Sequence, residues 1–335
     1  MKKKAIIFGI SGQDGAYLSK LLLEKKYKVY GVTRDISNKN LYRHDLLNTK
    51  EYINFECFDC NNLDPTCNYI KKIEPNEIYN FSSQSSVGIS FQKPVESINS
   101  IFNSTLNILE AIRKLNINSK FYNSSSSEMF GDSNGKKISE NSVFYPHSPY
   151  GVAKTSAHLL VESYRKSYRI FACSGILFNH ESPLRSEEFV TQKVVKHAVS
   201  IINGKKKKLV LGNLNVKRDW GWAPEYVQGI WAMMQRKKPE DFILATGKMT
   251  SLEEFVNRTF NLLELDWKKF IEIDESLYRP FEIINSVGNP KKAKLILNWE
   301  AKLPINKIIE KLIRSEVNRV KVLNKEEKFK IENFF

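Results

Sequence analysis

A glycine-rich turn near the amino terminus places the strongest constraint on how this 335-residue chain can fold. Residues 5–10 are an apolar run typical of a buried strand, and they lead directly into Gly9-Ile10-Ser11-Gly12-Gln13-Asp14-Gly15, where a helical pattern begins. Glycines at this G-x-x-G-x-x-G spacing allow a tight turn and close approach of backbone N–H groups to a pyrophosphate, and the helix N-terminus adds partial positive charge. The turn predicts a dinucleotide site with candidate contacts at Gly9, Ser11, Gly12, Gln13, Asp14 and Gly15.

Strands and helices alternate through the first half of the chain. Strands are predicted at residues 5–10, 28–32, 53–58, 77–81, 120–123 and 170–177, and helices at 15–26, 67–73, 100–115 and 150–168. This alternation predicts an α/β fold, a Rossmann-type doubly wound parallel sheet. After residue 178 the rhythm breaks into a strand at 209–211 and helices at 252–263 and 305–317, which predicts a smaller α+β substrate-binding domain.

These patterns also suggest domain boundaries. We expect one domain at 1–177 plus about 218–245, which includes the dinucleotide site, and a second, substrate-binding domain at about 178–217 plus 246–335. The charged end, 325–335, is expected to fray or to form a last short helix.

The chain is strongly basic, with 52 Lys and Arg against 37 Asp and Glu and a net charge of +15. Such a surplus favours an anionic partner: nucleic acid, a membrane surface or a phosphorylated small molecule. The lysines form scattered short runs, and no helical segment carries a basic stripe with interleaved aromatics, so no nucleic acid is expected. Apolar stretches are too short to span a bilayer and the first one is followed by no cleavage site, which predicts a cytoplasmic protein without membrane contact.

Four cysteines stand at positions 57, 60, 67 and 173. Cys57 and Cys60 have C-x-x-C spacing, but a structural zinc site would need a second pair nearby. We interpret them as small apolar residues at a strand end and expect no metal.

The end of the second predicted strand bears on the choice of cofactor. Arg34 comes first after the strand and Asp35 second. An arginine there suits the 2′-phosphate of NADP, whereas an acidic residue suits the ribose of NAD, so the order favours NADP. Asp59, after the third strand, is either an acceptor for the adenine amino group or a turn-capping aspartate.

A second cluster of polar residues predicts chemistry. Tyr150 and Lys154 form a Y-x-x-x-K pattern on one helical face, where the ammonium and a bound nicotinamide would lower the pKa of the phenol. Upstream, Ser126 and Glu128 follow the fifth strand. A plain alcohol dehydrogenase needs no carboxylate there, whereas an enzyme that removes a carbon-bound proton and expels water does; the alternative is a Glu that caps the turn.

With these motifs, the chain resembles the extended short-chain dehydrogenase/reductases, and among them the GDP-mannose 4,6-dehydratase family. The resemblance covers roughly residues 4–313. Its most specific stretches are the glycine turn and residues 175–183, and further matches lie at 144–150, 218–221 and 278–282. The resemblance implies a lyase that converts GDP-mannose, or a close GDP-linked sugar, to the GDP-4-keto-6-deoxy sugar with NADP as cofactor.

The same resemblance implies roles for individual residues. The catalytic set is Ser126, Glu128, Tyr150 and Lys154, of which Tyr150 and Lys154 also contact the cofactor with Arg34 and Asp59. The implied sugar-nucleotide contacts are Ser85, Asn179, Lys193, Arg218, Arg279 and Glu282. Two arginines from separate loops suit a diphosphate. The resemblance further implies a homodimer or homotetramer.

Several positions depart from the family pattern. Ser126 replaces the usual Thr, Asp35 replaces a second Arg, and the following loop, 36–42, which in the family reaches the cofactor site of a neighbouring subunit, is altered. Ser86 and Trp222 each replace a His. These changes leave open another GDP-sugar, such as a heptose or an N-acetylated sugar, and leave NADP preference and tetramer formation open. Rival hypotheses are a 4-keto reductase or epimerase on the same scaffold, and a non-catalytic NADP-sensing or RNA-binding protein.

Overall fold

The computed structural model describes residues 2–205 and 207–323. Its strands, in chain order, are β1 Lys4–Phe8, β2 Lys28–Thr33, β3 Ile53–Cys57, β4 Glu77–Asn80, β5 Lys120–Ser126, β6 Ala172–Leu177, β7 Asn179–Glu181, β8 Leu209–Leu211, β9 Lys217–Arg218, β10 Trp220–Trp222, β11 Phe242–Leu244, β12 Thr250–Ser251, β13 Ile271–Ile273 and β14 Asn285–Ser286. Its helices are α1 Gln13–Glu24, α2 Asn38–Leu46, α3 Leu63–Ile73, α4 Val87–Gln92, α5 Pro94–Leu115, α6 Pro149–Tyr168, α7 Val190–Ile202, α8 Ala223–Met234, α9 Leu252–Asn261, α10 Lys291–Leu297 and α11 Ile305–Leu323. The element expected over 325–335 lies outside the described residues.

A parallel sheet organises the larger part of the chain. Within the described residues its strand order is β3-β2-β1-β4-β5-β6-β11, and every neighbouring pair is parallel. The doubly wound fold predicted from the sequence is confirmed, and each of the six predicted strands forms. The main differences are that β5 extends three residues further, to Ser126, and that strand β11 and helices α2, α4, α7 and α8 were not predicted. The sequences of α2 and α4 are too short to show a clear helical periodicity.

Both faces of the sheet are covered. In β1, Ala5 and Ile7 pack into a core under α1 and α8, whereas Ile6 and Phe8 pack into the opposite core, under α3, α5 and α6. Successive side chains of a strand point to opposite faces, so a strand covered on both sides must be apolar throughout, as β1 is. A further core, formed by α7, α9 and α11 around Trp220 and Trp222, supports the short strands of the second half.

The strand order reverses between β1 and β4, and the loops that follow these two strands meet there. Gly9 has φ +76°, and a Cβ on it would lie 2.6 Å from the carbonyl carbon of Phe81. Only glycine tolerates both conditions. In open α/β sheets ligands bind in the crevice at such a switch point, so the fold itself places a site beside Gly9. Among the described residues we find no helix with the length and apolar character needed to cross a membrane.

A buried histidine holds α2 against the glycine turn. One ring nitrogen of His44 lies 3.0 Å from the Thr49 hydroxyl and the other 3.0 Å from the carbonyl oxygen of Ile10. Burial lowers the pKa of His44 from 6.5 to about 4. The ring is therefore neutral at physiological pH.

This pKa predicts how stability depends on pH. As pH falls from about 6.5 to about 4, the unfolded chain binds a proton at His44 before the folded protein does, which lowers the free energy of unfolding by ~3 kcal/mol. In His44→Gln this contribution should be absent. We expect the difference in unfolding free energy between parent and variant, measured by urea titration, to shrink between pH 7 and pH 4; a constant difference would contradict the assignment.

Candidate active site

Two adjoining cavities open at the carboxyl ends of the strands. The first, here the glycine cavity, has a volume of about 370 Å³ and is lined by Gly9, Gly12, Arg34 and Asp59, among others. The second, here the tyrosine cavity, has a volume of about 330 Å³ and is lined by residues that include Tyr150. Phe81 and Ser83 line both.

The start of α1 is shaped to receive an anion. Its N-cap, Gly12, lines the glycine cavity and provides no side-chain cap to the backbone N–H groups of the first turn. A Cβ on Gly12 would meet only the Gly9 carbonyl oxygen, at 3.4 Å, an ordinary contact, whereas one on Gly15 would lie 2.6 Å from that oxygen. Gly15 is thus required by packing, and Gly12 leaves room above a bare helix N-terminus.

The other predicted cofactor contacts divide between the two cavities. Ser11 lines the glycine cavity and Asp14 the tyrosine cavity, whereas Gln13 and Gly15 line neither. Gln13 instead accepts a hydrogen bond from the Ser182 hydroxyl at 2.7 Å and donates to the His180 carbonyl at 3.2 Å. It therefore joins the glycine turn to the loop after β7.

The residues after β2 and β3 show different surroundings. Arg34 is exposed on the wall of the glycine cavity, and among the described residues its guanidinium makes no hydrogen bond or ion pair. The Asp35 carboxylate is engaged: it accepts from the backbone N–H of Ser37 at 2.7 Å and from the Ser37 hydroxyl at 2.9 Å, and these bonds lower its pKa. Asp59 lines the cavity and also caps its turn, accepting from the backbone N–H of Asn61 at 3.0 Å.

The four catalytic candidates meet in the tyrosine cavity. Ser126 ends β5 and Glu128 lies in the 3-10 turn that follows, while Tyr150 and Lys154 occupy the first turns of α6. The Glu128 carboxylate makes no hydrogen bond or ion pair within residues 2–205 and 207–323. It interacts with Arg218 through charge alone, and a carboxylate that lines a cavity without a hydrogen bond to the protein is available to a bound molecule.

Lys154 is buried without a carboxylate bonded to it. Its Nζ donates to the Ser124 carbonyl oxygen at 2.7 Å and lies 3.4 Å from the hydroxyls of Ser83 and Ser124. Burial lowers its pKa to about 8. Keeping the Lys154 ammonium charged inside the fold therefore lowers the stability of the folded protein.

The pKa of Tyr150 in the chain without ligands differs from the lowered value that the sequence pattern suggests. Burial raises its pKa to about 12, and its interaction with the Ser126 hydroxyl only partly opposes this effect. The lowered pKa predicted for Tyr150 depended on a bound nicotinamide as well as on Lys154, and in the chain without ligands the Lys154 ammonium alone does not produce it. The Lys154 ammonium lies 5.7 Å from the centre of the Tyr150 ring and is itself partly desolvated, so burial dominates.

The far wall of the tyrosine cavity carries two arginines that share one carboxylate. Glu282 Oε1 lies 3.1 Å from the guanidinium of Arg218 and 3.6 Å from that of Arg279. Ser85 and Asn179 also line this cavity. Lys193 does not; its Nζ donates to the Val210 carbonyl oxygen at 2.8 Å. Glu128, in the same cavity, also interacts with Arg218 through its charge. Paired guanidinium groups on one wall suit an anionic ligand such as a diphosphate.

Sequence reasoning missed three groups. His180 Nε2 lies 2.9 Å from both carboxylate oxygens of Asp14, and although burial opposes the shift, this contact lowers the pKa of Asp14. Arg185 lines the tyrosine cavity with its guanidinium 3.5 Å above the Phe189 ring. Arg43, on the unpredicted helix α2, donates to the carbonyl oxygens of Ser11 and Leu184. His180 lies within the conspicuous 175–183 stretch and Arg185 lies two residues after it, so this stretch was the sequence signal that could have found them.

The buried ammonium gives a stability prediction. Lys154→Met removes a charge whose burial, from a pKa of 10.5 to about 8, costs ~3 kcal/mol. The lost hydrogen bond to the Ser124 carbonyl offsets ~1–2 kcal/mol of that cost. We expect Lys154→Met to unfold at higher urea concentration at pH 7, with a net gain of ~1–2 kcal/mol.

The pH dependence of this gain is a control. Between about pH 8 and 10.5 the folded parent loses the Lys154 proton while the unfolded chain keeps it, so the parent gains stability. The difference in unfolding free energy between Lys154→Met and the parent should therefore become smaller. A Lys154→Met protein less stable than the parent at pH 7 would show that the ammonium is net stabilising.

Comparison with solved structures shows the fold. The chain superimposes on a UDP-glucose 4-epimerase of Thermotoga maritima with TM-score 0.83 and 19% identity, covering 95% of this chain and 99% of the other. A dTDP-glucose 4,6-dehydratase of Bacillus anthracis gives TM-score 0.81 and 20% identity, covering 93% and 96%.

Sequence comparison gives the family. Residues 6–312 match the family model described as GDP-mannose 4,6 dehydratase. The chain is 39% identical to GDP-mannose 4,6 dehydratase 2 of Arabidopsis thaliana, covering 96% of this chain and 88% of the relative. It is 37% identical to the Dictyostelium discoideum enzyme, covering 96% and 97%, and 36% identical to that of Vibrio cholerae, covering 95% and 94%. The resemblance found in the motifs is confirmed, and the chain belongs to the GDP-mannose 4,6-dehydratase family.

Proposed function

We propose that the protein is an NADP-dependent GDP-sugar 4,6-dehydratase acting on GDP-mannose or a close GDP-linked sugar. The observation that carries the proposal is the Glu128 carboxylate, which makes no hydrogen bond or ion pair with the described residues and lies in the same cavity as Tyr150 and Lys154. A reductase needs only the tyrosine and the lysine, whereas removal of a carbon-bound proton needs a second base. Relatives over nearly the whole chain bear the name of this activity.

The glycine cavity fits a dinucleotide. The bare N-terminus of α1 suits a pyrophosphate, and the space that Gly12 leaves open lets it approach the backbone. Gln84 Oε1 lines this region as a buried acceptor without a hydrogen-bond partner among the described residues. Arg34 is positioned for a 2′-phosphate, and Asp35 is occupied by Ser37, which supports NADP over NAD.

Tyr150 acts first in the proposed reaction. The bound nicotinamide would supply hydride exchange with the sugar and, when oxidised, a positive charge. With that charge and the Lys154 ammonium close by, the Tyr150 phenolate is stabilised, so this phenolate can take the proton of the sugar C4 hydroxyl. Ser126 interacts with the Tyr150 hydroxyl and is placed to bond the same sugar oxygen.

Glu128 acts second. A ketone at C4 acidifies the hydrogen on C5, and the Glu128 carboxylate takes that proton. The protonated carboxyl then gives its proton to the C6 hydroxyl, which leaves as water. This elimination leaves a double bond between C5 and C6. The chemistry supplied by the nicotinamide would return to C6 the hydride removed from C4, and C5 would regain a proton in place of the one it lost, balanced by the proton that Tyr150 took. The sugar then has lost one water in total and is a 4-keto-6-deoxy sugar still attached to GDP.

Arg218 and Arg279 hold the diphosphate in this proposal. Guanidinium groups bind phosphate oxygens in a bidentate manner, and these two enter the cavity from separate segments, β9 and the loop before β14. Glu282, which bonds both of them, is placed to turn toward a ribose hydroxyl when a diphosphate takes over the arginines.

The two domains predicted from the sequence have separate roles in the proposed function. Residues 1–177 plus about 218–245 bind the cofactor, and about 178–217 plus 246–335 bind the sugar nucleotide. We further propose a cytoplasmic protein that forms a homodimer or homotetramer.

The direct test is incubation of the protein with NADP⁺ and GDP-mannose, followed by mass spectrometry of the nucleotide sugar. Loss of one water is the expected result. Unchanged mass with a new sugar stereochemistry would indicate an epimerase, and net consumption of NADPH with a 4-keto sugar would indicate a reductase.

Arg34 should set the cofactor preference. We expect the parent to bind NADP⁺ more tightly than NAD⁺, and Arg34→Ala to lower NADP⁺ affinity by ~10–100-fold while leaving NAD⁺ affinity nearly unchanged, because a charged hydrogen bond to phosphate is lost. Calorimetric titration measures both affinities. Lys39→Ala, a nearby exposed cation outside the cavity, is the matched control. Preference of the parent for NAD⁺ would refute the assignment.

We expect Glu128 to be needed for the elimination of water only. Glu128→Gln keeps the shape of the side chain but cannot act as a base, so dehydrated product should form ~10²–10⁴-fold more slowly. The measurement is a single-turnover reaction read by mass spectrometry. Glu187→Gln, an exposed carboxylate outside the tyrosine cavity, serves as the control. Dehydration at the parental rate in Glu128→Gln would favour the reductase or epimerase hypothesis.

A further inference from the structure

The four catalytic candidates are divided between two secondary-structure elements. Ser126 and Glu128 belong to the end of β5 and its following turn, whereas Tyr150 and Lys154 belong to the start of α6. The proposed reaction needs Tyr150 and Glu128 to act on adjacent carbons of one sugar. The position of α6 relative to the end of β5 must therefore be held closely, because small misplacements of reacting groups are costly.

Two side chains of α6 bond to the end of β5. Lys154 Nζ donates to the Ser124 carbonyl oxygen at 2.7 Å, and His158 Nδ1 lies 3.1 Å from the Ser125 hydroxyl. His158 is four residues after Lys154, so both side chains lie on the same helical face. Lys154 already has a proposed catalytic role, but His158 has none.

The His158–Ser125 pair lies at the wall of the tyrosine cavity, which Ser125 lines and His158 does not. Both residues are buried, and the ring of Phe144 packs edge-on against the imidazole with centroids 5.3 Å apart. Burial lowers the pKa of His158, so the ring is neutral and forms an ordinary hydrogen bond with the hydroxyl. The groups that act on its charge are Asp241, Arg165 and Glu162, which belong to a network at the other end of α6.

We propose that His158 is a positioning residue: through Ser125 it fixes the end of β5, which carries Ser126 and Glu128, against the helix that carries Tyr150 and Lys154. The proposal rests on the proposed function, because it concerns the alignment of the groups that perform it. It adds a residue that touches neither substrate nor cofactor and that the motif spacing does not reveal.

Three features support this role over a purely structural one. Ser125 is the residue immediately before Ser126, so a shift of its hydroxyl moves the backbone that carries Ser126. Tyr150 and Lys154 precede His158 on the same continuous helix. At a second contact between these elements, an added Cβ on Gly151 would lie 2.7 Å from the Glu128 carbonyl oxygen, so the spacing there is already at its minimum.

The test compares two substitutions of His158. His158→Phe keeps an aromatic ring against Phe144 but removes the hydrogen bond, and it should lower kcat for dehydration by ~10–100-fold with KM changed by no more than about twofold. His158→Asn places an amide near the Nδ1 position and should recover most of the rate. Ser125→Ala should reproduce the loss, and the double variant Ser125→Ala/His158→Phe should be no slower than either single variant.

A control separates alignment from stability. Thr259→Val removes a buried hydrogen bond to the Phe255 carbonyl oxygen in α9, remote from the site, and should lower stability without changing kcat. Additive effects of the two single variants, equal losses in His158→Asn and His158→Phe, or a rise in KM alone would overturn the proposal.

Crystal structures of the variants test the positioning role of His158 separately from the proposed function. If the parent fails to dehydrate a GDP-sugar, the proposed function fails, and the positioning role is judged by geometry. His158→Phe should then displace Ser126 relative to Tyr150 and His158→Asn should not. An unmoved Ser126 in His158→Phe would refute the role.

Discussion

The close approach of Gly9 to Phe81 is the contact on which the rest of the site depends. It brings the loop after β1 against the loop after β4, where the order of the sheet reverses, and a side chain at position 9 would prevent it. The crevice between these loops becomes the glycine cavity on one side and the tyrosine cavity on the other, and Phe81 is part of both walls. The end of β5, next to β4 in the sheet, then brings Ser126 to the same edge.

Charge is distributed unevenly around this crevice. Lys154 is buried with only neutral oxygens bonded to it, Glu128 makes no hydrogen bond or ion pair within the described residues, and Arg218 and Arg279 share Glu282. A chain selected for stability alone would pair or remove these groups, since buried and unpaired charges cost free energy. Asp14 and His180 show the contrast, because they form a buried pair in the same cavity.

Much of the architecture could be predicted from local sequence. The predicted strands were recognisable as apolar runs, since both faces of the sheet are covered. The glycine turn identified the carboxyl end of β1, where the cavities lie. Motif spacing brought Ser126, Glu128, Tyr150 and Lys154 together because each motif is local to one element. It did not place Lys193, whose ammonium turns to the Val210 carbonyl, nor the pKa of Tyr150, which depends on burial by the whole fold. The pairs Asp14–His180 and Ser125–His158 join residues far apart in sequence, and no local pattern reports such contacts.

The shared wall of the two cavities bears on how such a protein can diverge. Arg34 and Asp59 line only the glycine cavity, and Arg218 and Arg279 only the tyrosine cavity. Substitutions at these positions are therefore free to change one binding preference during descent without disturbing the other. Phe81 and Ser83 belong to both walls, so a change at either position alters both preferences at once. Lineages that exchange one sugar nucleotide for another would accordingly vary at the outer walls and keep the residues of the partition.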